Sequence, residues 1–552
     1  MEKTISSSFL FLKNIFSHCK NVLHTHYLLI TIAASILFSF TVFGNIVHGK
    51  FWLIDDHEML RIVSQIKNNA PISEILRDTD LGKLGRWARL RPSQWFLYIS
   101  ECAIWKDRAV LWYSFRLFII ILFVFSVTRF FYLFTGRWLD LAFTASLFAA
   151  GYWYDLFPRL INDEFYAIIG LIIMFWSGKS LFIRRKELLW PLFTIGFIIS
   201  IGSKENFLPL CALYVYFYLK LIKNLSINSN TGNGDAHVSK KNNYKLLISR
   251  YAVHISFVFG ILYFLFIVFF LGKALTYLKT DIYMRPITPA SRIPLILGYF
   301  SKSRNLFTLA AYIAGLVMLV WKFKKRIITS STAFIHSVFC FSFIYFWAAF
   351  QFIVYNGEWP AHNHYDFPGV AAFQTLFVFN YAFARDILSL VRMRFLPVFK
   401  AAVLVIIFIF IASNNYFTKL QYGMEKILER QNHHHQNIQS TVRTARQHPD
   451  ALIIFDNFNP HNYEAVISLE KFLRYYGISN EIAIRAHFNE DTGDSALMRS
   501  LSTVSWDWHR RDDALYQSFT TKQCIRVVFS GGAKEISELQ KNRPAMLAGS
   551  FY

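Results

Sequence analysis

GKFWLIDDHEML, residues 49–60, follows directly on an apolar run that begins near Tyr27. A bilayer-crossing helix needs about 20 consecutive, mostly apolar residues, and the run at 27–47 supplies them. Asp55, Asp56, His57 and Glu58 then stand where the chain leaves the hydrocarbon. Charge is costly inside a membrane and tolerated at its boundary, so the stretch reads as a helix end entering an outer loop. The preceding MEKTISSSFLFLKNIFSHCK has only a short apolar piece, broken by Lys13 and Asn14. No small-residue cleavage site follows it, so the first span reads as an uncleaved anchor.

Outward from that anchor, ten more apolar segments follow near 110–128, 138–157, 165–182, 188–202, 206–222, 251–271, 304–321, 333–354, 369–384 and 397–413. The expectation is a polytopic α-helical membrane protein of about eleven transmembrane helices, with the fifth and sixth short enough to form one re-entrant unit. Bulk composition agrees: 54% of the 552 residues are hydrophobic and 18% aromatic, with a mean hydropathy of +0.32. The net charge of +23 is not that of a nucleic-acid binder, because no basic domain or binding motif accompanies it. The Lys and Arg residues cluster instead in alternate loops, among them Lys179, Arg184–Lys186, Lys220, Lys322–Arg326 and Arg385. By the positive-inside rule those loops and the N-terminus (1–26) are cytoplasmic. An odd span count then puts the C-terminus outside.

Two long outer segments result. Residues 48–109 contain EMLRIVSQIKNNAPISEIL, whose apolar spacing predicts a helix lying in the interface. Residues 414–552 follow the transmembrane region (27–413). They begin with a polar helical stretch around 423–449, and ALIIFD, EIAIRAHF and QCIRVVFS then read as strands with an amphipathic helix at 461–477 between the first two, a small soluble α/β domain. The cytoplasmic stretch NLSINSNTGNGDAHVSKKNNY reads as disordered. The five cysteines show no metal-ligand spacing. They read as buried thiols, with a Cys102–Cys524 disulfide as the less favoured alternative. The run His433–His435 reads as a solvated helix face.

The acidic residues avoid mid-span and collect at the outer ends. Asp55, Asp56 and Glu58 follow the first span. Asp163 and Glu164 lie in INDEF, where Asn162 or Asp163 also suits a helix N-cap. Lys204 and Glu205 lie in GSKEN, which a local ion pair also explains. Glu358, His362, His364, Tyr365 and Asp366 lie in GEWPAHNHYDF. Four sets at one depth favour a single boundary site over a path through the bilayer. The stretch GKLGRWARLRPSQW adds Lys83, Arg86, Arg89 and Arg91 with Trp87 and Trp95. Positive charge on the outer side runs against the loop-wide trend and calls for an anionic partner. Arg forks match phosphate, and the Trp residues suit either sugar stacking or lipid-headgroup anchoring.

This layout resembles the GT-C superfamily of integral-membrane glycosyltransferases: an anchor, an acidic pair, a long outer loop with a basic GR…RP stretch, then NDE and SKEN turns. It is similar to the bacterial protein-mannosyltransferase-like and O-antigen glucosyltransferase groups over roughly residues 27–385. The resemblance implies transfer of a sugar from a polyprenyl-phosphate donor to a glycan, lipid or protein acceptor outside the cytoplasm, at a bacterial inner membrane with a periplasmic C-terminal domain. Asp55 or Asp56 would be the base, Asp55 favoured as nearest the span. Glu58, Asp163 and Glu164 would position the acceptor or a metal. Arg86, Arg89, Arg91 and Lys204 would hold the donor phosphate. Glu205, Glu358, His362, His364, Tyr365 and Asp366 would contact substrate, although relatives place an Arg-Tyr pair where this chain has HNHYDFP. A divalent cation, Mg or Mn, suits so many carboxylates, but a lipid-monophosphate donor does not demand one. The competing readings are a surface-polysaccharide polymerase or ligase, and a lipid-linked glycan transporter, for which Arg116 and His336 are the only in-span polar candidates.

Overall fold

The computed structural model describes residues 26–51, 56–77, 79, 81–82, 89–149, 153–184, 186–231, 240–278, 289–354, 364–391, 395–413, 415–458, 463–480, 482–486, 524–529 and 547–551. Asp55, Arg86, Glu358 and His362 lie outside the described residues.

The molecule is mostly helical. The helices are α1 (Tyr27–Phe43), α2 (His57–Lys67), α3 (Ile72–Arg77), α4 (Pro92–Trp105), α5 (Ala109–Thr135), α6 (Leu139–Phe148), α7 (Trp153–Leu156), α8 (Asp163–Arg184), α9 (Trp190–Ile201) and α10 (Leu210–Thr231). They continue with α11 (Lys240–Leu278), α12 (Pro289–Tyr299), α13 (Ser303–Lys324), α14 (Ser331–Val354), α15 (Gly369–Val391), α16 (Leu396–Ser413) and α17 (Tyr416–Gln447). After them come β1 (Leu452–Phe458), α18 (Tyr463–Tyr475), β2 (Ile482–Ala486), β3 (Cys524–Phe529) and β4 (Leu547–Phe551). The four strands are parallel, in the order β2-β1-β3-β4.

Among the described residues, seven helices are long and apolar enough to cross a membrane: α1 with its 3₁₀ extension to His48, α5, α8, α11, α13, α14 and α16. The spans expected near 138–157, 188–202, 206–222 and 369–384 do not meet that standard. The first of these is the short α6, which ends at Phe148; Trp153–Leu156 is a separate turn. α9 is also short. α15 carries Arg385 and Asp386 within its last two turns. The polar stretch expected to be disordered is helical in part, since α10 continues to Thr231 and α11 starts at Lys240. Extending an existing helix adds a hydrogen bond for each residue fixed, so a helix outruns its apolar segment.

Two polar faces bound the bundle. On one, Tyr27 at the start of α1 stacks on Tyr132 near the end of α5. Lys322 at the end of α13 meets Asp386 of α15 at 2.7 Å, and Arg385 donates to Phe134 O at 2.7 Å. On the other, Gln431 of α17 accepts from Lys50 N at 3.1 Å and donates to Tyr113 Oη and Pro158 O. The segment after α16 therefore returns to the face where α1 ends. A close approach permits this: a Cβ on Gly423 would lie 2.6 Å from the ring of Tyr154.

The 58–76 stretch forms two helices, not one. Asn69 has φ 55, and Pro71 lacks the N–H a continuing helix needs. Nor does α2 offer its apolar face to lipid. Met59, Leu60, Ile62 and Val63 are buried in the protein core. Glu58 pairs with Lys471 of α18 at 2.7 Å and with Arg61 at 2.7 Å, and His57 Nδ1 lies 2.7 Å from Ser468 Oγ. Burial alone would raise the Glu58 pKa. The His57 hydrogen bond and the charges of Arg61 and Lys471 overcome it and hold the carboxyl well below its usual range.

Candidate functional site

The site begins with how α8 and α9 pack. Small residues let helix backbones touch. A Cβ on Gly196 would stand 2.7 Å from Gly170 O, and Ser200 Oγ donates to Ala167 O at 3.3 Å. This contact brings the start of α8 beside the turn that follows α9. Asn162 caps α8, its Oδ1 accepting from Glu164 N at 3.1 Å, while Asp163 and Glu164 fill the first turn, where the helix dipole favours negative charge. The N-cap expectation is thus met at Asn162.

Helix α4 completes the arrangement. Pro92 sits at its first position, where a missing N–H costs nothing. Ser93 N donates to Gly202 O at 3.0 Å, and Ser93 Oγ to Ile198 O at 2.9 Å. Arg91, just before Pro92, is thereby set against the GSKEN turn. Its guanidinium grips Glu205 at 3.1 and 3.2 Å and also pairs with Asp163. Lys204 Nζ lies 3.0 Å from Asp163 Oδ2 and 3.0 Å from Glu164 Oε1. All five residues are buried. Three sets separated by dozens of residues close into one cluster of two cations and three carboxylates. Burial pulls the Lys204 pKa down, but Glu164 and Asp163 more than reverse this, so the ammonium is held above its ordinary range.

The cluster continues laterally. Lys204 Nζ stands 4.9 Å from the centre of the Tyr365 ring, and Tyr365 packs on His364 at 4.1 Å. His364 Nδ1 lies 2.6 Å from Asp155 Oδ2, and Asp155 also takes Arg159 Nε at 2.9 Å. Asp366 is buried in the same turn. Arg89 acts electrostatically on Asp163. Asp56, 1% exposed at the start of α2, lies within electrostatic reach of Tyr98 of α4. Tyr98 in turn sits edge-on to Tyr166, one turn from Asp163. Glu58 stands apart from this layer, committed to α18.

Sequence reasoning passed over Asp155, Glu101 and Gln431. Asp155 was hidden by its apolar neighbours in YWYDLF, which made it look like span interior. Its signal is that it is the lone acid in that segment, eight residues before Asp163. Glu101, the lone acid of FLYISECAIW, accepts from Tyr166 Oη at 2.7 Å, and burial raises its pKa to about 7 against the opposing charge of Arg116. Arg116 does not face an open path: it lies 4.0 Å over the Phe165 ring and donates to Leu160 O. Cys102 is a free, buried thiol, which removes the Cys102–Cys524 disulfide. The three histidines 433–435 are partly buried, and burial lowers the His434 pKa to about 4. Among the described residues no three His, Cys, Asp or Glu side chains converge in a way that could hold a metal ion.

The Asp155–His364 pair predicts a pH effect. Burial alone would raise the Asp155 pKa; the His364 hydrogen bond and the Arg159 charge lower it to about 2 from 3.8. A carboxyl depressed on folding stabilises above its unfolded pKa, and that stability is lost as pH falls toward the folded value. Thermal unfolding of the lipid-embedded protein should therefore lose about 2 kcal/mol between roughly pH 4 and pH 2 on this account. Asp155→Asn should abolish that increment and leave the remaining acid sensitivity intact. Identical acid profiles for the two proteins would refute it.

Compared with family models, with curated proteins and with solved structures, the chain matches none.

Proposed function

We propose that the chain is a GT-C-type membrane glycosyltransferase that moves a sugar from a polyprenyl-phosphate donor to a glycan, lipid or protein acceptor on the outer side of a bacterial inner membrane. In this reading the N-terminus is cytoplasmic and the C-terminal α/β segment periplasmic. The observation that carries it is the closure of Arg91, Asp163–Glu164 and Lys204–Glu205 into one buried cluster at the helix ends. Such a boundary site suits a donor whose tail stays in the bilayer and whose reacting carbon sits at the surface.

The chemistry is a direct displacement. Asp56, or its neighbour Asp55, takes the proton of the acceptor hydroxyl as the oxygen attacks the anomeric carbon. The bond to the lipid phosphate breaks, and configuration at that carbon inverts. The leaving phosphate needs cations not already neutralised. Arg91 and Lys204 face three carboxylates between them. They therefore suit holding the floor of the site, with Arg89 as a phosphate ligand and Arg86, outside the described residues, proposed beside it from its place in the GRWARLRP stretch. Asp163 and Glu205, oriented by those cations, suit acceptor hydroxyls.

One observation favours a second reading. His364 held by Asp155 at 2.6 Å is an oriented imidazole, as a polymerase or ligase using histidine would need. Membranes containing the protein, given a panel of radiolabelled polyprenyl-phosphate sugars, should label an acceptor from at least one donor. Labelling from lipid-diphosphate oligosaccharides and from no monophosphate donor would replace the first reading by the second.

A further inference from the structure

The C-terminal segment lies outside the charged cluster, yet α18 packs along α2 from its start to its end. At the start of α2, His57 Nδ1 stands 2.7 Å from Ser468 Oγ, a contact between residues 411 positions apart. His57 Nε2 lies 3.3 Å from Glu58 Oε1, and Lys471 Nζ returns to that same oxygen at 2.7 Å. Ser468, His57, Glu58 and Lys471 thus form one polar chain that leaves α18, crosses the first turn of α2 and comes back. Ser468 and His57 are buried. At the far end of α2, Lys67 Nζ donates to Tyr475 Oη at 3.1 Å, and Tyr475 Oη donates to Asp107 Oδ2 at 2.8 Å. Asp107 sits in the turn between α4 and α5. Ser468, Lys471 and Tyr475 follow one another at spacings of three and four, which puts them on one face of a helix. Leu469, Phe472 and Leu473 are buried in the same core as Met59, Leu60, Ile62 and Val63.

We propose that α18 is a positioning element of the transfer site: Ser468 and Lys471 hold the first turn of α2 and thereby fix Asp56, the residue that opens that helix, against the layer of Asp163. Apolar packing keeps two helices together but is non-directional. The hydrogen bonds at both ends of α2 set its register and rotation, as a satisfied polar network does in a core. Tyr475 adds a tie to the turn that follows α4, so the C-terminal segment references α2 to the helix whose start seats Arg91. Such control matters at this place, because a displacement of about 1 Å at a reacting group can cost about a hundredfold in rate. Glu58, paired with both Arg61 and Lys471, then serves the position of its neighbour. The consequence for transfer rests on the reading of Asp56 as the general base; the hold on α2 does not.

The test compares hydrogen exchange and sugar transfer of the full chain in nanodiscs. The Lys471 side chain is 37% exposed, so Lys471→Met breaks the polar chain without opening a cavity. Exchange of the α2 amides should quicken about fivefold, the equivalent of one partly exposed ion pair, with α8 and α9 at wild-type protection. Ser468→Ala, which removes the partner of His57, should also quicken α2, and Lys471→Arg should stay near wild type. Transfer by Lys471→Met should fall about tenfold. In the Asp56→Asn background the same change should cost less than about twofold, because a residue that acts through another has nothing left to position. Equal losses in the two backgrounds would make α18 a packing element only and overturn the proposal. Wild-type exchange across α2 in both Lys471→Met and Ser468→Ala would overturn it as well. If the wild type transfers sugar from no donor, the glycosyltransferase reading fails by itself; quickened exchange confined to α2 then still supports the hold by α18, and unchanged exchange still rejects it.

Discussion

On the glycosyltransferase reading proposed above, in which Asp56 is the general base, Asp56→Asn is expected to cut sugar transfer by about a hundred- to ten-thousand-fold, the range for losing such a group, with unchanged membrane insertion. The residue opens α2 without making a side-chain cap bond, so asparagine preserves the local backbone. It also preserves side-chain size at a position that is 1% exposed. What it removes is a basic oxygen and one negative charge. That charge acts on Tyr98, which joins α2 to the layer holding Asp163 through its contact with Tyr166. Initial rates in membranes matched for protein level measure the effect, with Asp55→Asn in parallel. A fall in one variant and not the other identifies the base. Full rates in both would exclude the acidic pair and direct the search to His364, where His364→Gln should then carry the loss.

What the sequence revealed was set by two kinds of signal. Hydropathy and the spacing of basic loops exposed the helical membrane character, because long apolar runs have few alternative uses. The charged residues at span ends exposed Asp163, Glu164, Lys204 and Glu205, since charge in so apolar a setting needs partners. Pairing itself was not legible. Nothing in GRWARLRPSQW says that Arg91 meets Glu205 while Arg89 remains at the edge; that follows from Ser93 bonding to the end of α9, a contact between segments more than a hundred residues apart. Asp155 was obscured because hydropathy averages over neighbours, and one acid in YWYDLF scarcely lowers the mean. The partner of Glu58 was illegible for a similar reason. Lys471 lies in the C-terminal segment, which no local pattern connects to the stretch after the first span. Gly170 and Gly196 are the converse case: single glycines in apolar helices look incidental, yet their contact sets α8 against α9.

Lys204→Met should destabilise the protein by about 3–5 kcal/mol, the cost of leaving a buried charge without its partner. The side chain of Lys204 is 6% exposed and that of Glu164 1%, and the Glu164 oxygens make no hydrogen bond that would replace the ammonium. Asp163 keeps Arg91 after the substitution; Glu164 keeps no ion-pair partner among the described residues. Methionine fills nearly the same volume, so the loss is electrostatic and not a cavity effect. This makes a specific rescue available. Glu164→Gln in the Lys204→Met background removes the stranded charge and should recover more than half of the loss, because replacing both members of a buried pair by neutral groups costs far less than breaking it. Unfolding of both variants in nanodiscs, followed by tryptophan fluorescence, gives the two differences. A loss below about 1 kcal/mol for the single variant, the scale of an exposed ion pair, would mean that the cluster does not hold α4, α8 and α9 together. A full loss without rescue would place the damage in packing around the methionine. Rescue of stability without rescue of transfer is the outcome expected if the same ion pairs also aim Asp163 at the acceptor, because the neutral pair restores the fold and not the carboxylate's orientation.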